Sequence, residues 1–136
     1  MFMEIRKYTD IDDNALFDML REEGDDWACY HEGEAAQRYR LALACSVTLL
    51  AYEGDRLCGY VRVRDDDGFG VYVYDLLVRK SDRGHGIGRA LIDAVCTAFP
   101  QDAIYVMSGA DGYYEKQGYR REGSIFSVRI PENEPS

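Results

Sequence analysis

Three glycines at alternate positions form the segment of this sequence with the clearest capacity for chemistry. Gly84, Gly86 and Gly88 directly precede a stretch with helical periodicity, and Arg83 and Arg89 stand on either side of them. The first turn of a helix has free backbone N–H groups that bind anions. Glycine lets the backbone approach phosphate oxygens and adopts positive φ angles without strain. The segment predicts an anion site, and the alternative is a glycine-rich turn that merely packs a helix tightly on a strand.

The better-known nucleotide fingerprints do not fit this loop. Residues 84–89 break the GxGxxG spacing of dinucleotide-binding proteins. No Gly-Lys pair followed by Ser or Thr is present to bind a β-phosphate and magnesium. On its own, the loop therefore identifies neither a cofactor nor a reaction.

A buried strand and a helix must position the loop. Residues 71–78 are apolar or aromatic on both faces except at Asp75, a pattern typical of a central strand that is covered on both sides. After the glycines, Ile87, Leu91 and Val95 recur every four residues, which predicts an amphipathic helix that ends at Pro100. We therefore expect the loop to join the end of the strand to the start of the helix.

The rest of the chain supplies further strands and helices. We predict strands over 2–8, 47–52, 57–64 and 103–107, helices from about 10 to 24, around 35–43 and over 112–117, and a terminal hairpin or pair of strands over 119–130. The order β-α-α-β-β-β-α-β-α-β favours an α+β fold, a mixed sheet with helices on its faces. We expect one domain over 1–130 and a disordered tail at 131–136.

The net charge of the chain limits which classes of partner it can bind. Lys and Arg total 16 against 25 Asp and Glu, a net charge of -9, so the surface should repel polyanions and nucleic acid is not expected to bind. Ten acidic residues lie between positions 10 and 34. They would suit a cationic substrate, and the alternative is that they form an ordinary solvated face.

Cysteine and histidine usage argues against a metal site. The four cysteines form no CxxC pair, and only two histidines are available to join them: the cysteines are Cys29, Cys45, Cys58 and Cys96. Three of them lie in periodic apolar segments, where a reduced cysteine behaves as a small apolar side chain. With no signal peptide and no run of about 18 apolar residues, we expect a cytoplasmic protein without a membrane span.

Two ordered motifs resemble the GNAT N-acetyltransferase superfamily. Its loop pattern is Gln or Arg, two arbitrary residues, Gly, one arbitrary residue, and Gly or Ala, and residues 83–88 (RGHGIG) match every specified position. Downstream, residues 113–119 (YYEKQGY) resemble the family's FYxKxGF segment. The resemblance implies a mixed, mostly antiparallel central sheet flanked by helices, and acetyl-CoA as cosubstrate without a metal.

The resemblance also assigns the donor site. In the family, the strand before the loop binds pantetheine through its backbone, and the loop N–H groups hold the pyrophosphate. These roles map to Leu76, Leu77, Val78, Arg83, Gly84, His85, Gly86, Ile87 and Gly88. Many longer members add an Asn after the fifth strand, but this chain has only Asn14 and Asn133, so Ser108 or Asp111 would have to substitute.

Tyr114 aligns with the tyrosine that protonates the leaving thiolate in many family members. A phenol with a pKa near 10 is a suitable donor to a thiolate whose conjugate acid has a pKa near 8.5. The alternatives are that Tyr114 only packs against the cofactor, or that the neighbouring Tyr113 takes this role.

Asp75 is the one charged residue of the predicted buried strand. Since burial disfavours an ionised carboxylate, Asp75 is a candidate base for an ammonium substrate, directly or through water. The alternative is a structural aspartate that bonds backbone groups where the strand bends. His31 and His85 are expected to be surface residues.

The resemblance implies direct transfer of an acetyl group to a primary amine, small or on a protein, of an unidentified and cationic acceptor. A non-catalytic acyl-CoA sensor of the same fold is the first alternative. A nucleotide- or phosphate-binding protein of another class is the second, and it would leave residues 114–119 unexplained. A homodimer also stays open, because dimerisation is common in the family.

Overall fold

The computed structural model describes residues 3–129. It divides into two compact units, one that ends at Val106 and one that begins at Met107. Phe2, the start of the first predicted strand, and the predicted tail at 131–136 lie outside the described residues. The expectation of a single domain over 1–130 stays a prediction.

The first unit is a five-stranded sheet with helices. The strands pair in sequence order, antiparallel except for the parallel β4–β5 pair, which confirms the predicted mixed and mostly antiparallel sheet. The strands and helices are β1 Glu4–Lys7, α1 Asp13–Glu23, α2 Ala28–His31, α3 Ala35–Cys45, β2 Val47–Glu53, β3 Arg56–Asp65, β4 Val71–Val78, α4 Ile87–Ala98 and β5 Ile104–Val106. Single 3-10 turns occur at Asp10–Asp12, Asp25–Trp27 and Lys80–Asp82.

Both faces of the sheet are covered. In β3, consecutive residues from Leu57 to Val61 are buried, which requires cover on both sides. On one face, residues of α1 and α3 form a cluster with Tyr60 and Leu77. Helix α4 also packs on β2, β3 and β4, with Leu91 and Val95 fully buried.

A bulge interrupts the β3–β4 ladder next to Asp75. Arg62 pairs with Asp75 while its neighbour Val63 pairs with Val73, so Tyr74 has no counterpart. Residues that pair across a ladder point to the same face of the sheet. The extra residue therefore places the Asp75 side chain on the same face as those of Arg62 and Tyr60, under α2 and α3. Tyr74 is 43% exposed, so the prediction of a strand buried throughout on both sides is wrong at this residue.

Over residues 107–129, the described part of the second unit, there is one helix, α5, at Asp111–Lys116. The predicted terminal hairpin is not found, because no strand forms between residue 119 and residue 129, where the described chain ends. Ile125, Phe126 and Val128 are exposed. A strand needs a hydrogen-bonded partner and a face to bury, and an isolated hairpin is marginally stable in water.

Candidate functional site

The β4–α4 loop has the backbone that its glycines predict. Gly84 and Gly86 have φ angles of +83° and +82°, and Gly86 caps the twelve-residue helix α4. An added Cβ would meet no atom within 4 Å at either position, so the left-handed backbone, not lack of space, requires glycine there.

The loop leaves its backbone open. Arg83, Gly84, His85 and Gly86 are exposed, whereas Ile87 and Gly88 are buried where α4 begins. Within the described chain, the N–H groups of residues 84–88 donate to no backbone carbonyl. These N–H groups, at the positive end of a helix dipole, can bind a phosphate or pyrophosphate.

Two arginines fix the ends of the loop to α1. Arg79 pairs with Glu22, and its Nε donates to the Leu57 carbonyl at 3.1 Å. Arg83 pairs with Glu23, and its Nε donates to the Val78 carbonyl at 2.9 Å. The roles of Glu22 and Glu23 were missed from the sequence, because they lie in an acidic stretch far along the chain from the loop.

The end of β4 has an open edge. In the first unit, β5 pairs with β4 only as far as Val73, opposite Val106. Residues 74–78 therefore lack a strand partner on the β5 side of this unit, and Leu76 and Val78 are only half-buried. Leu76, Leu77 and Val78 thus present backbone groups that a ligand could pair with, as a strand would.

Asp75 lies at the centre of a hydrogen-bonded cluster. One of its carboxylate oxygens accepts from Tyr30 Oη at 3.0 Å. The other accepts from Tyr39 Oη at 2.6 Å and from Arg62 Nε at 2.6 Å. Tyr39 and Tyr60 share a further hydrogen bond of 2.8 Å. The carboxylate thus links α2, α3, β3 and β4, and we call these five residues the Asp75 cluster.

The tyrosines of the Asp75 cluster stay protonated near neutral pH. Burial, followed by the charge and hydrogen bonding of Asp75, raises the pKa of Tyr30 to about 12. The same causes raise the pKa of Tyr39 further. Burial works to lower the pKa of Arg62, but the hydrogen bond to Asp75, the charge of Asp75 and the contact with Tyr39 together outweigh it and raise that pKa. The carboxylate therefore has stable donors on both oxygens.

Tyr114 belongs to α5, in the second unit, while Asp75 and the loop belong to the first. It is half-buried, with its ring centroid 5.0 Å from that of Tyr113 and 6.4 Å from that of Tyr119. Burial, helped by these two phenols, raises the pKa of Tyr114 to about 12. The Tyr114 phenol is therefore protonated near neutral pH.

The described residues offer no metal centre, since no group of three or more His, Cys, Asp or Glu side chains comes together among them. All four cysteines are free, but only Cys58 is buried, so the prediction of apolar packing for three of them is wrong for at least two. His85 is exposed, as expected; His31 is half-buried, and its Nε2 has no partner in the described chain. No described helix is long and apolar enough to cross a membrane.

Comparison with known proteins gives the same architecture. An aminoglycoside acetyltransferase from an uncultured soil metagenomic sample matches with 22% identity over 96% of this chain and 100% of its own, at a TM-score of 0.72. The PaiA N-acetyltransferase of Thermoplasma acidophilum, in complex with coenzyme A, matches with 17% identity over 92% of this chain and 94% of its own, at a TM-score of 0.72. The ribosomal-protein-alanine N-acetyltransferase of Brucella melitensis biovar Abortus 2308 matches with 19% identity over 95% of this chain and 100% of its own, at a TM-score of 0.70.

These likenesses concern the fold, and the family follows from the sequence. The model of the acetyltransferase (GNAT) domain family matches residues 15–129. The match includes β4, the glycine loop, α4 and α5, the elements on which the two motifs lie. This chain therefore belongs to the GNAT acetyltransferase family.

Proposed function

We propose that this acetyltransferase domain moves an acetyl group from acetyl-CoA directly to a primary amine of a cationic acceptor. The observation that carries the proposal is the β4–α4 loop, with two glycines in left-handed conformation and an open row of N–H groups at the start of a long helix. The open edge of β4 ends where this loop begins, so one ligand with a pyrophosphate and an extended amide-containing arm would fit both.

The donor would be held by backbone groups. Residues 83–88 would bind the pyrophosphate, and residues 76–78 would pair with the pantetheine amides as a strand does. Ser108 and Asp111 are the candidates for the contact that an asparagine makes in longer family members. No metal has a part in this scheme.

The chemistry needs a neutral amine, a polarised carbonyl and a proton for the leaving sulfur. The amine nitrogen attacks the thioester carbon, and a C–N bond forms as the C–S bond breaks. A backbone N–H near Leu76 or Leu77 would stabilise the negative charge on the carbonyl oxygen. Tyr114 would donate its phenolic proton to the thiolate, since the phenol is protonated at neutral pH. Burial, which raises its pKa to about 12, makes it a weaker acid than a free phenol, so the role rests on its place in the motif.

The acceptor ammonium must lose a proton to a base before its nitrogen can attack. Asp75 stays the proposed base, acting through water. However, Arg62 and two phenols already donate to its two oxygens, a pattern that favours the structural alternative. The partners are side chains, not the backbone groups that the structural alternative anticipated. We therefore propose that Asp75 at least positions α2 and α3, and a pH-rate profile separates the two roles.

The acceptor is proposed from charge. The acidic residues between positions 10 and 34 would attract a cation, while a net charge of -9 opposes nucleic acid as a partner. The aminoglycoside and ribosomal-protein enzymes differ in what their names say they acetylate, so a small amine and a protein amine are both retained. A homodimer and a cytoplasmic location belong to the same proposal.

A thermal-shift experiment tests the donor assignment. Acetyl-CoA at about 100 times its Kd should stabilise the protein by about 2.7 kcal/mol, whereas ATP and NAD at the same concentration should not. Stabilisation by ATP or NAD without stabilisation by acetyl-CoA would overturn the assignment and favour a nucleotide-binding protein of another class.

A second candidate function is an acyl-CoA sensor without turnover. The three donors on Asp75 favour it, because they compete with the acceptor ammonium for the carboxylate oxygens. Release of free CoA thiol in the presence of an amine distinguishes the enzyme from the sensor. Binding of acetyl-CoA with no thiol release over a broad amine panel would support the sensor.

A further inference from the structure

Two adjacent glutamates at the end of α1 contact two arginines that stand at the entrance to the glycine loop. Glu22 pairs with Arg79 and Glu23 pairs with Arg83. The two pairs look alike in sequence, but their burial is reversed. In the first pair the arginine is sheltered, with 13% of its side chain exposed, and the glutamate is 53% exposed. In the second the arginine is 48% exposed and the glutamate only 12% exposed.

This reversal gives the two arginines different roles. Arg79 is held in place by the Leu57 carbonyl and by Glu22, and its sheltered side chain acts as a structural cation. Arg83 is the first residue of the proposed pyrophosphate segment, and half of its side chain faces solvent. An anion bound at the loop could therefore reach the Arg83 guanidinium from the solvent side.

We propose that Glu23 sets the affinity of the loop by acting as a built-in counter-anion for Arg83, which the pyrophosphate of the incoming donor replaces. This inference rests on the proposed function, because it takes a CoA-type pyrophosphate as the ligand. While the loop is empty, Glu23 neutralises Arg83 and holds it at the loop entrance. When the donor binds, the guanidinium exchanges one anionic partner for another, and the sheltered Glu23 carboxylate loses its charged partner.

The exchange has a cost that a substitution can remove. Since Arg83 must leave Glu23 to meet a phosphate, the strength of that pair is subtracted from the affinity for the donor. Glu23→Gln removes the competing charge and leaves the guanidinium available. Glu22→Gln is the matched control, because it removes the same charge from the neighbouring position but acts on Arg79.

The test is the Kd for CoA, measured by titration calorimetry on the wild type and both variants. We expect Glu23→Gln to bind CoA about three- to tenfold more tightly than the wild type, and Glu22→Gln to stay within about twofold of it. Equal changes in the two variants would mean that only the general charge matters, and would overturn the inference. Weaker binding by Glu23→Gln would also overturn it, because Glu23 would then assist the donor.

A double-mutant cycle assigns the effect to Arg83. On an Arg83→Gln background, Glu23→Gln and Glu22→Gln should change the Kd for CoA equally. If Glu23→Gln still tightened CoA binding on the Arg83→Gln background, the proposed exchange of Glu23 for the pyrophosphate at Arg83 would be contradicted. Failure of the wild type to bind CoA at all would instead refute the proposed function, so the two failures are distinguishable at the first titration.

Discussion

At the scale of single residues, Asp75 is the clearest case of a side chain whose neighbours decide its role. Its type and its place in an apolar strand suggested a base, but nothing along the chain identified Arg62, Tyr30 or Tyr39 as its partners. Arg62 faces Asp75 only because of the bulge at Tyr74. A bulge is a local departure from the ladder that the alternation of residue types does not reveal.

Asp75→Asn separates the two proposed roles. The variant leaves the largely buried Arg62 without its carboxylate, so we expect a loss of about 3 kcal/mol in the free energy of unfolding, measured with denaturant. Asp66→Asn, in the exposed β3–β4 turn, is the control and should change it by less than about 0.5 kcal/mol.

The pH-rate profile of Asp75→Asn then tests the chemistry. If Asp75 positions α2 and α3, kcat falls but the acidic limb of the profile keeps its midpoint. Loss of that limb would instead make Asp75 the base and refute a purely positioning role.

Tyr114→Phe tests the proton donor. Without the phenolic proton, kcat should fall by about 10²-fold, while the Kd for acetyl-CoA stays unchanged. Tyr113→Phe, the adjacent and more exposed phenol, should keep kcat within about twofold. Because a general acid must be protonated and the pKa of Tyr114 is about 12, Tyr114 should impose no alkaline loss of activity below about pH 11. An unchanged kcat in Tyr114→Phe would remove this residue from proton transfer.

At the scale of elements, the β4–α4 unit was the most predictable part of the molecule. Alternating glycines before a four-residue apolar repeat indicated a loop with positive φ and a helix, and both are confirmed at Gly84, Gly86 and α4. The short helix α2 was missed, since it has only four residues and no apolar period of its own. The C-terminal strands were predicted wrongly, because a strand needs a hydrogen-bonded partner, which residue types along the chain do not reveal.

We predict that Gly59, which has no Cβ, allows the end of β4 to lie close to β3. A Cβ at this position would lie 2.7 Å from the Leu77 carbonyl oxygen and 3.3 Å from Val78 Cα, both backbone atoms that cannot rotate away. Gly59→Ala should therefore cost about 1–3 kcal/mol in unfolding free energy and weaken acetyl-CoA binding through the displaced strand. Gly123→Ala, where an added Cβ meets nothing within 4 Å, is the control. Unchanged stability and binding in Gly59→Ala would show that β4 is not held at this distance.

Asp12 fixes the start of α1 to the sheet and makes it sensitive to acid. It accepts hydrogen bonds from Arg6 at 2.6 Å, from Tyr52 at 2.9 Å and from the Thr9 N–H at 2.9 Å. Burial works to raise the pKa of Asp12, but these donors outweigh it and lower that pKa below its ordinary 3.8.

The lowered pKa of Asp12 gives the sign of its pH dependence. The unfolded chain binds the proton more readily, so the stabilisation is complete above about pH 4 and is lost as the pH falls through the folded pKa. Asp12→Asn should lower the unfolding free energy at pH 7 by about 2 kcal/mol, and the gap to the wild type should narrow below pH 4. A gap that is independent of pH would contradict the ion pair as its source.

At the scale of the whole molecule, the sequence was sufficient for the fold class, the family and the anion-binding loop, and insufficient for the acceptor. The glycines and the YYEKQGY segment carry local backbone requirements that can be recognised along the chain. The Asp75 cluster and the Glu23–Arg83 pair join residues far apart in sequence, and their partners depend on packing. The acidic residues between positions 10 and 34 are the basis for proposing a cationic acceptor, but they carry no information on its shape.

Acetyl transfer from acetyl-CoA is tested most directly by measuring the release of CoA thiol with a panel of amines. The mass of the product is then determined. We expect thiol release that depends on both the protein and a cationic amine. The product should be heavier by one acetyl group on nitrogen, and Tyr114→Phe should lose turnover. Tight acetyl-CoA binding with no amine-dependent thiol release and no acetylated product would contradict it.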